Sequence, residues 1–333
     1  MSKNNLLSAA DLNPEELENL LEVAASLKGK PHRHLLAGKS LGLLFFERSL
    51  RTRVSFEVGM LQLGGNCINI FANQEIYDLE PEEQVVMDGA AEEHVKDAAR
   101  TLSRYVDVLG IRQISSQGPW ERDRQDLLLH SYAEHATVPV INLESVQEHP
   151  CQAIADVMTM REQLVSLKQR KLTLTWSNHP DQKSFGATHS ILVLAASLGM
   201  DITIAHPLGF ELDEEVTDTA HDRAEGSGGS IRVTNSLEEA ATDADVLYAR
   251  SWGSAKCWGD PDRESIIKRS LESWRIDSSV MARTRDAIFM HPLPVRRNVV
   301  ATDNVVDGPR SMIYDQAENR VHVQKALLLQ LLS

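Results

Sequence analysis

The chain has 333 residues, 42% of them hydrophobic and 25% charged, with a formal net charge of −14. That composition is globular, excludes a disordered chain, and leaves room for two domains with separate cores. Its 48 Asp and Glu against 34 Lys and Arg argue against nucleic acid as a partner, since that binding rests on cations placed on phosphates.

An acidic chain can still focus a local basic pocket on a small anion, so the positions of the arginines matter more than the sum. No stretch approaches the ~18 uninterrupted apolar residues of a bilayer span, so no membrane is expected. The opening MSKNNLLSAADLNPEE lacks the apolar core of a signal peptide, which makes a cytoplasmic location the expectation. Cys67, Cys151 and Cys257 form no CxxC pair, so neither structural zinc nor a disulfide framework is expected.

Along the chain, Asn13-Pro14-Glu15-Glu16 supplies an N-cap, an N1 proline and a capping-box glutamate. Leu17, Leu20, Leu21 and Ala24 follow at helical spacing, and Gly29 ends the run. Leu41–Phe46 is a short continuous apolar run, as for a buried parallel strand, and a helical pattern follows over Val54–Leu63. Similar runs recur at Val106–Ile111, Val138–Leu143, Leu172–Trp176, Ile202–Ala205, Val246–Ala249 and Ala287–Met290. Helical patterns cover Cys151–Leu164, Ser190–Leu198, Glu214–Glu225 and Ala317–Leu332. Strands alternating with helices predict an α/β fold of two domains, each a parallel sheet flanked by helices. One block runs to about Glu144, the next begins near Leu172, and Cys151–Leu164 bridges them. In such sheets ligands collect beyond the carboxyl ends of the strands.

Several motifs are missing. Without GxGxxG a dinucleotide dehydrogenase loses its main support, and no HExxH or GxSxG occurs. Gly38-Lys39-Ser40 resembles the tail of a P-loop, but the earlier glycine is absent and the segment precedes a strand. This leaves an enzyme without a metal or nucleophile motif, or a non-catalytic protein that only binds a metabolite.

Four segments at strand ends carry chemistry. Ser49-Leu50-Arg51-Thr52-Arg53 lies between a strand and a helix and offers backbone N–H groups, hydroxyls and two guanidiniums to an anion. The same residues also read as a capped helix with solvated arginines. Arg112 closes the strand run at Gly110-Ile111, where it faces either a ligand or water. His149-Pro150-Cys151-Gln152 opens a helix after a strand, and its histidine and amide can polarise a carbonyl or simply cap and pack. His291-Pro292-Leu293-Pro294 is a stiff loop whose carbonyls can orient an amide, or else a plain rigid turn.

In this order, Ser-x-Arg-Thr-Arg, a strand-end arginine, HPxQ and HPLP resemble the aspartate/ornithine carbamoyltransferase family over nearly the whole chain. Ordinary ornithine-using members carry a Ser-Met-Gly loop where this chain has Tyr248-Ala249-Arg250-Ser251-Trp252-Gly253. Met87-Asp88-Gly89 with Glu92-Glu93-His94, Thr175-Trp176 with His179-Pro180, and Arg296-Arg297-Asn298 through Thr302-Asp303 resemble instead the branch using N-acetylornithine or N-succinylornithine. Glu92 is similar to the acetyl type.

The resemblance implies a carbamoyl phosphate domain over 1–145, an acceptor domain over 146–315 and a C-terminal helix, 316–333, packing back on the first. It implies no cofactor, carbamoyl phosphate and an acylated ornithine as substrates, a homotrimer with shared sites, and a knotted second domain with the loop Thr175–Gly186 as its candidate. Ser49, Leu50, Arg51 and Thr52 would hold the phosphate. Arg112, His149 and Gln152 would hold the carbamoyl end, with the Leu293 carbonyl and Arg320 near it. Arg51, Thr52, Arg112, His149 and Gln152 would carry the catalysis. Glu92, Glu144, Ser184, Arg250 and Arg296 would face the acceptor, and Tyr77 would enter a neighbour's site. Departures from the acetyl type lie on the acceptor side: Ser184 for asparagine, Arg250 for lysine, and Val300 where some members have lysine.

Overall fold

The computed structural model describes residues 5–29, 32, 34–114 and 118–332. The chain divides into two units, one running to Cys151 and resuming at Arg320, the other Gln152–Asn319. It changes unit inside two helices, Pro150–Gln163 and Ile313–Leu332, a few residues beyond the expected 145 and 315. Ser333, in the expected segment 316–333, lies outside the described residues.

The first unit contains β1 (Ser40–Phe45), β2 (Asn66–Phe71), β3 (Leu79–Glu80), β4 (Glu93–His94), β5 (Val108–Arg112) and β6 (Val140–Glu144). Its main sheet is parallel, in the order β2-β1-β5-β6, while β3 and β4 form a separate short pair. Leu41, Leu43, Leu44 and Phe45 are at most 1% exposed, and burying each contributes about 1.5–3 kcal/mol. The helix Pro14–Leu27 starts as its sequence predicts: Asn13 Oδ1 accepts from Glu16 N and Glu16 Oε2 from Asn13 N, both at 2.9 Å. β2 has no counterpart among the expected strands. It is an edge strand whose residues are half-buried or exposed, so it lacks the continuous apolar run of a central strand.

The second unit contains β7 (Lys171–Trp176), β8 (Asp201–Ala205), β9 (Ser230–Thr234), β10 (Val246–Arg250) and β11 (Ile288–Met290), parallel in the order β11-β10-β7-β8-β9. The edge strand β9 escaped the sequence pattern for the same reason as β2. The helix Gly186–Ser197 is buried along its whole length, which erases the polar face by which its start at Gly186, rather than Ser190, would be read. Among the described residues no helix is long and apolar enough to cross a membrane.

Strand order reverses once in each sheet, between β1 and β5 and between β7 and β10. These reversal points open crevices at the carboxyl ends of the strands. In the first unit the chain leaves β1 toward Ser49–Arg53, and β5 ends on Arg112. In the second it leaves β7 toward His179, and β10 ends on Arg250.

Candidate active site

The helix after β1 spans Arg51–Leu63, so Arg51, Thr52 and Arg53 form its first turn rather than preceding it. Leu50 stands at the N-cap and supplies no side-chain cap bond. The N–H groups of the first turn, which have no intrahelical partner, keep their partial positive charge for an anion. Thr52 is 1% exposed, and its hydroxyl accepts from Nη2 of Arg320 at 2.7 Å. The guanidinium of Arg53 lies over the Phe71 ring, 4.7 Å from its centroid, which leaves Arg51 as the arginine of this turn not committed to that ring.

At the end of β5 the register with β6 shifts: Ile111 faces Asn142, but Arg112 faces Glu144. The extra residue on β6 aims the Glu144 carboxylate at Arg112. Nη1 of Arg112 pairs with Oε2 of Glu144, which lies 3.4 Å from Nε2 of His149. All three side chains are buried. Nε of Arg112 is also buried and has no hydrogen-bond partner among the described residues, a donor available to a ligand oxygen. Gly110 permits this packing, since a Cβ there would meet Leu43 Cδ2 at 2.8 Å and Leu143 Cδ2 at 3.0 Å.

The loop from β6 to His149 is tied down by Asp126. Its carboxylate accepts from Ser145 Oγ at 2.5 Å, Val146 N at 3.1 Å and Gln147 N at 3.4 Å. Asp126 has φ 45° at the N-cap of the helix Leu127–His135 and does not cap it, its side chain being committed to the loop. Burial pushes its carboxyl up to about 7.

Gln152, at the start of the second unit, is 3% exposed and donates Nε2 to Asp156 at 2.8 Å. After β7, Arg296 donates Nε to His179 Nε2 at 3.1 Å and Nη2 to Asp181 Oδ2 at 3.1 Å. Burial and the nearby Lys183 cation lower the His179 pKa to about 4, which keeps the ring neutral and able to accept. A buried ion pair, Glu264–Lys268, anchors this loop. Glu264 accepts Gln182 Nε2 at 2.5 Å, and Lys268 donates to the Asp181 carbonyl at 3.0 Å. Ser184 is buried at the loop's end, Arg250 and Leu293 are half-buried, and Val300 is fully buried in the core.

His291, at the head of the Pro-rich loop, is buried, and burial together with the Arg250 charge lowers its pKa to about 3. An unfolded histidine titrates near 6.5, so between that pH and about 3 only the unfolded chain gains this proton. Stability from this group is therefore complete above about pH 7 and falls as the pH drops. Wild type should lose about 2 kcal/mol more than His291→Gln between pH 7 and pH 5, read from denaturant unfolding at both values. Parallel losses in the two proteins would refute a neutral buried ring.

The structure thus brings Thr52 together with Arg320, Arg112 with Glu144 and His149, and Gln152 with Asp156. Ser49 and Arg51 are half-buried beside Thr52, and the exposed Leu50 offers its backbone rather than its side chain. Tyr77, 64% exposed, and Glu92, also exposed, stand apart on the segment between β2 and β4. Sequence reasoning missed Asp126, Asp156 and the Glu264–Lys268 pair. Asp156 and Lys268 carried a signal, each four residues after its partner and on the same helical face; Asp126 carried none. Among the described residues no group of three or more His, Cys, Asp or Glu is placed to hold a metal ion.

Residues 4–162 match the aspartate/ornithine carbamoyltransferase carbamoyl-P binding domain, and residues 170–331 match that family's Asp/Orn binding domain. The chain is 40% identical over 331 residues to the N-acetylornithine carbamoyltransferase of Xanthomonas campestris pv. campestris, covering 98% of this chain and 97% of that one. It is also similar to a crystal structure of acetylornithine transcarbamylase complexed with acetylcitrulline, with a TM-score of 0.96 and 39% identity over 99% of each chain. An E92A mutant of N-acetyl-L-ornithine transcarbamylase, complexed with carbamyl phosphate and N-succinyl-L-norvaline, gives a TM-score of 0.95 at 39% identity, covering 98% of this chain and 99% of that one. With both family domains matched and a relative 40% identical over nearly the whole chain, the chain belongs to the aspartate/ornithine carbamoyltransferase family and is a carbamoyltransferase.

Proposed function

We propose that the enzyme transfers the carbamoyl group of carbamoyl phosphate to the δ-amine of N-acetyl-L-ornithine, giving N-acetyl-L-citrulline and phosphate for arginine biosynthesis. The observation that carries the donor half is the N-terminus of the helix Arg51–Leu63, with no side-chain cap at Leu50, beside the buried Arg112, Glu144 and His149. Ser49, the Leu50 backbone, Arg51, Thr52 and Arg320 hold the phosphate. Arg112 and His149 donate to the carbamoyl oxygen, while Gln152 and the Leu293 carbonyl accept from its amine. Glu144 serves first as counter-ion to Arg112.

The acceptor amine attacks as the neutral base. With an ordinary pKa near 10.4, removing its proton at pH 7 costs roughly 4–5 kcal/mol, which a cationic, desolvated site reduces. The new N–C bond forms as the carbonyl becomes an oxyanion, stabilised by Arg112, His149 and Thr52 as fixed donors. The C–O bond to phosphate then breaks, and the leaving phosphate takes the amine proton, so no protein base is needed. Positioning and electrostatics supply the rate. Ser184, Arg250 and Arg296 serve the acceptor. The reading includes a cytoplasmic homotrimer in which the exposed Tyr77 enters a neighbour's site.

Glu92 is proposed to read the acyl group. Acetylornithine ends there in a neutral methyl and succinylornithine in a carboxylate. An ionised Glu92 within ~4 Å repels that carboxylate by about 1 kcal/mol in water-like surroundings and about 4 at an effective dielectric of 20. Citrulline-type product formation with carbamoyl phosphate and ornithine, acetylornithine or succinylornithine tests the reading. Acetylornithine should give the highest kcat/KM, and Glu92→Ala should raise succinylornithine use relative to it by about fivefold or more. Preference for another acceptor would overturn the substrate. An unchanged ratio in the variant would move attention to Ser184, Arg250 and Val300.

A further inference from the structure

The bridging helix buries a carboxylate that no step above uses. Asp156 is fully buried, one helical turn after Gln152. Its Oδ1 accepts Nε2 of Gln152 and Nε2 of Gln316, both at 2.8 Å, and its Oδ2 accepts the Tyr248 hydroxyl at 2.7 Å. Gln316 in turn accepts the backbone N–H of His291 at its Oε1, at 2.8 Å. Three elements thus converge on one buried anion: the bridging helix, β10 and the start of the helix Ile313–Leu332.

A carboxylate accepts and a backbone N–H donates, so the two amides have no freedom to reverse. Gln152 must turn its NH2 to Asp156, which leaves its oxygen on the other side. Gln316 must turn its NH2 to Asp156 and its oxygen to His291. A carbamoyl amine brings two N–H donors and needs two acceptors in return. Those assigned to it above are the Gln152 oxygen and the carbonyl of Leu293, two residues beyond His291.

We propose that Asp156 is a positioning residue for the carbamoyl amine: it turns the Gln152 amide so that its oxygen faces the ligand and, through Gln316, holds the His291–Leu293 backbone that carries the second acceptor. This rests on the carbamoyl phosphate reading. Reversal of Gln152 would set its NH2 against the ligand's NH2, replacing an attraction by a clash of donors.

Inorganic phosphate shares the donor's phosphate contacts but has no amine, and comparing the two ligands isolates the effect. Asp156→Asn offers one oxygen and one NH2 to three donors, so at least one partner must turn or go unpaired. The KM for carbamoyl phosphate should rise roughly tenfold or more, while the Ki of inorganic phosphate stays within about twofold. Gln316→Met, which breaks only the arm to His291, should move the same ratio in the same direction by less, and it carries the test if Asp156→Asn does not fold. Equal weakening of both ligands, as a merely structural role would give, or no change in either variant, overturns the proposal. Wild type that binds carbamoyl phosphate no better than phosphate would instead sink the carbamoyl phosphate reading and leave the amide network standing.

Discussion

Arg51→Ala should lower kcat/KM for carbamoyl phosphate by about 3–5 kcal/mol, a hundredfold to several-thousandfold. Arg51 is half-buried on the first turn after β1, where the helix end itself is positive. In the proposed role its planar fork would give two parallel charge-assisted bonds to a phosphate, and both would go with the side chain. Stability should change little, because the residue is only half-buried. Arg51→Lys should recover part of the loss, since it keeps the charge and loses the fork. Arg53→Ala should cost far less, because that guanidinium is spent on the face of Phe71. Near-normal donor kinetics for Arg51→Ala would reduce Ser49–Arg53 to the first turn of an ordinary helix.

Arg112→Met should unsettle the first unit as well as the chemistry. Its partner Glu144 has a side chain only 8% exposed, so removing the arginine leaves a buried carboxylate uncompensated. Breaking such a pair from one side costs about 3–5 kcal/mol. Adding Glu144→Gln removes the orphan charge, so the double variant should regain most of the stability. Its activity should not return if Arg112 is the donor to the carbamoyl oxygen proposed above. Denaturant midpoints for wild type, the two single variants and the double variant close a thermodynamic cycle. A coupling energy near zero would show that water screens the pair.

What the sequence disclosed follows from what periodicity can carry. Strands β1, β5, β6, β7, β8, β10 and β11, two of them at sheet edges, are buried along nearly all their length and stand out as apolar runs. Edge strands β2 and β9 mix exposed and half-buried positions and leave no such mark. The residues proposed for the donor stood out in the sequence because they sit at strand ends, where any parallel sheet gathers its ligands. Their supports were not. Asp126 lies between short helices, and its left-handed backbone and its bonds to Ser145–Gln147 arise only when the fold closes. The seating of Arg53 on Phe71 is likewise tertiary, since Phe71 arrives from a strand the pattern does not announce.

The late return of the chain to its first unit has a consequence for biosynthesis. Arg320 reaches Thr52, and Lys325 reaches the Leu27 carbonyl at 2.9 Å and Gln62 at 3.0 Å, yet both follow the whole of the second unit in the chain. At ribosomal speeds of roughly 5–20 residues per second, a nascent first unit waits roughly ten to thirty seconds for these groups. Through that interval Thr52 lacks its Arg320 partner, and the apolar surface that Val323, Ala326, Leu327 and Leu328 will cover is bare to water. A chain stalled or cut within the second unit is left in that condition for good, a substrate for holding chaperones and proteases rather than half an enzyme.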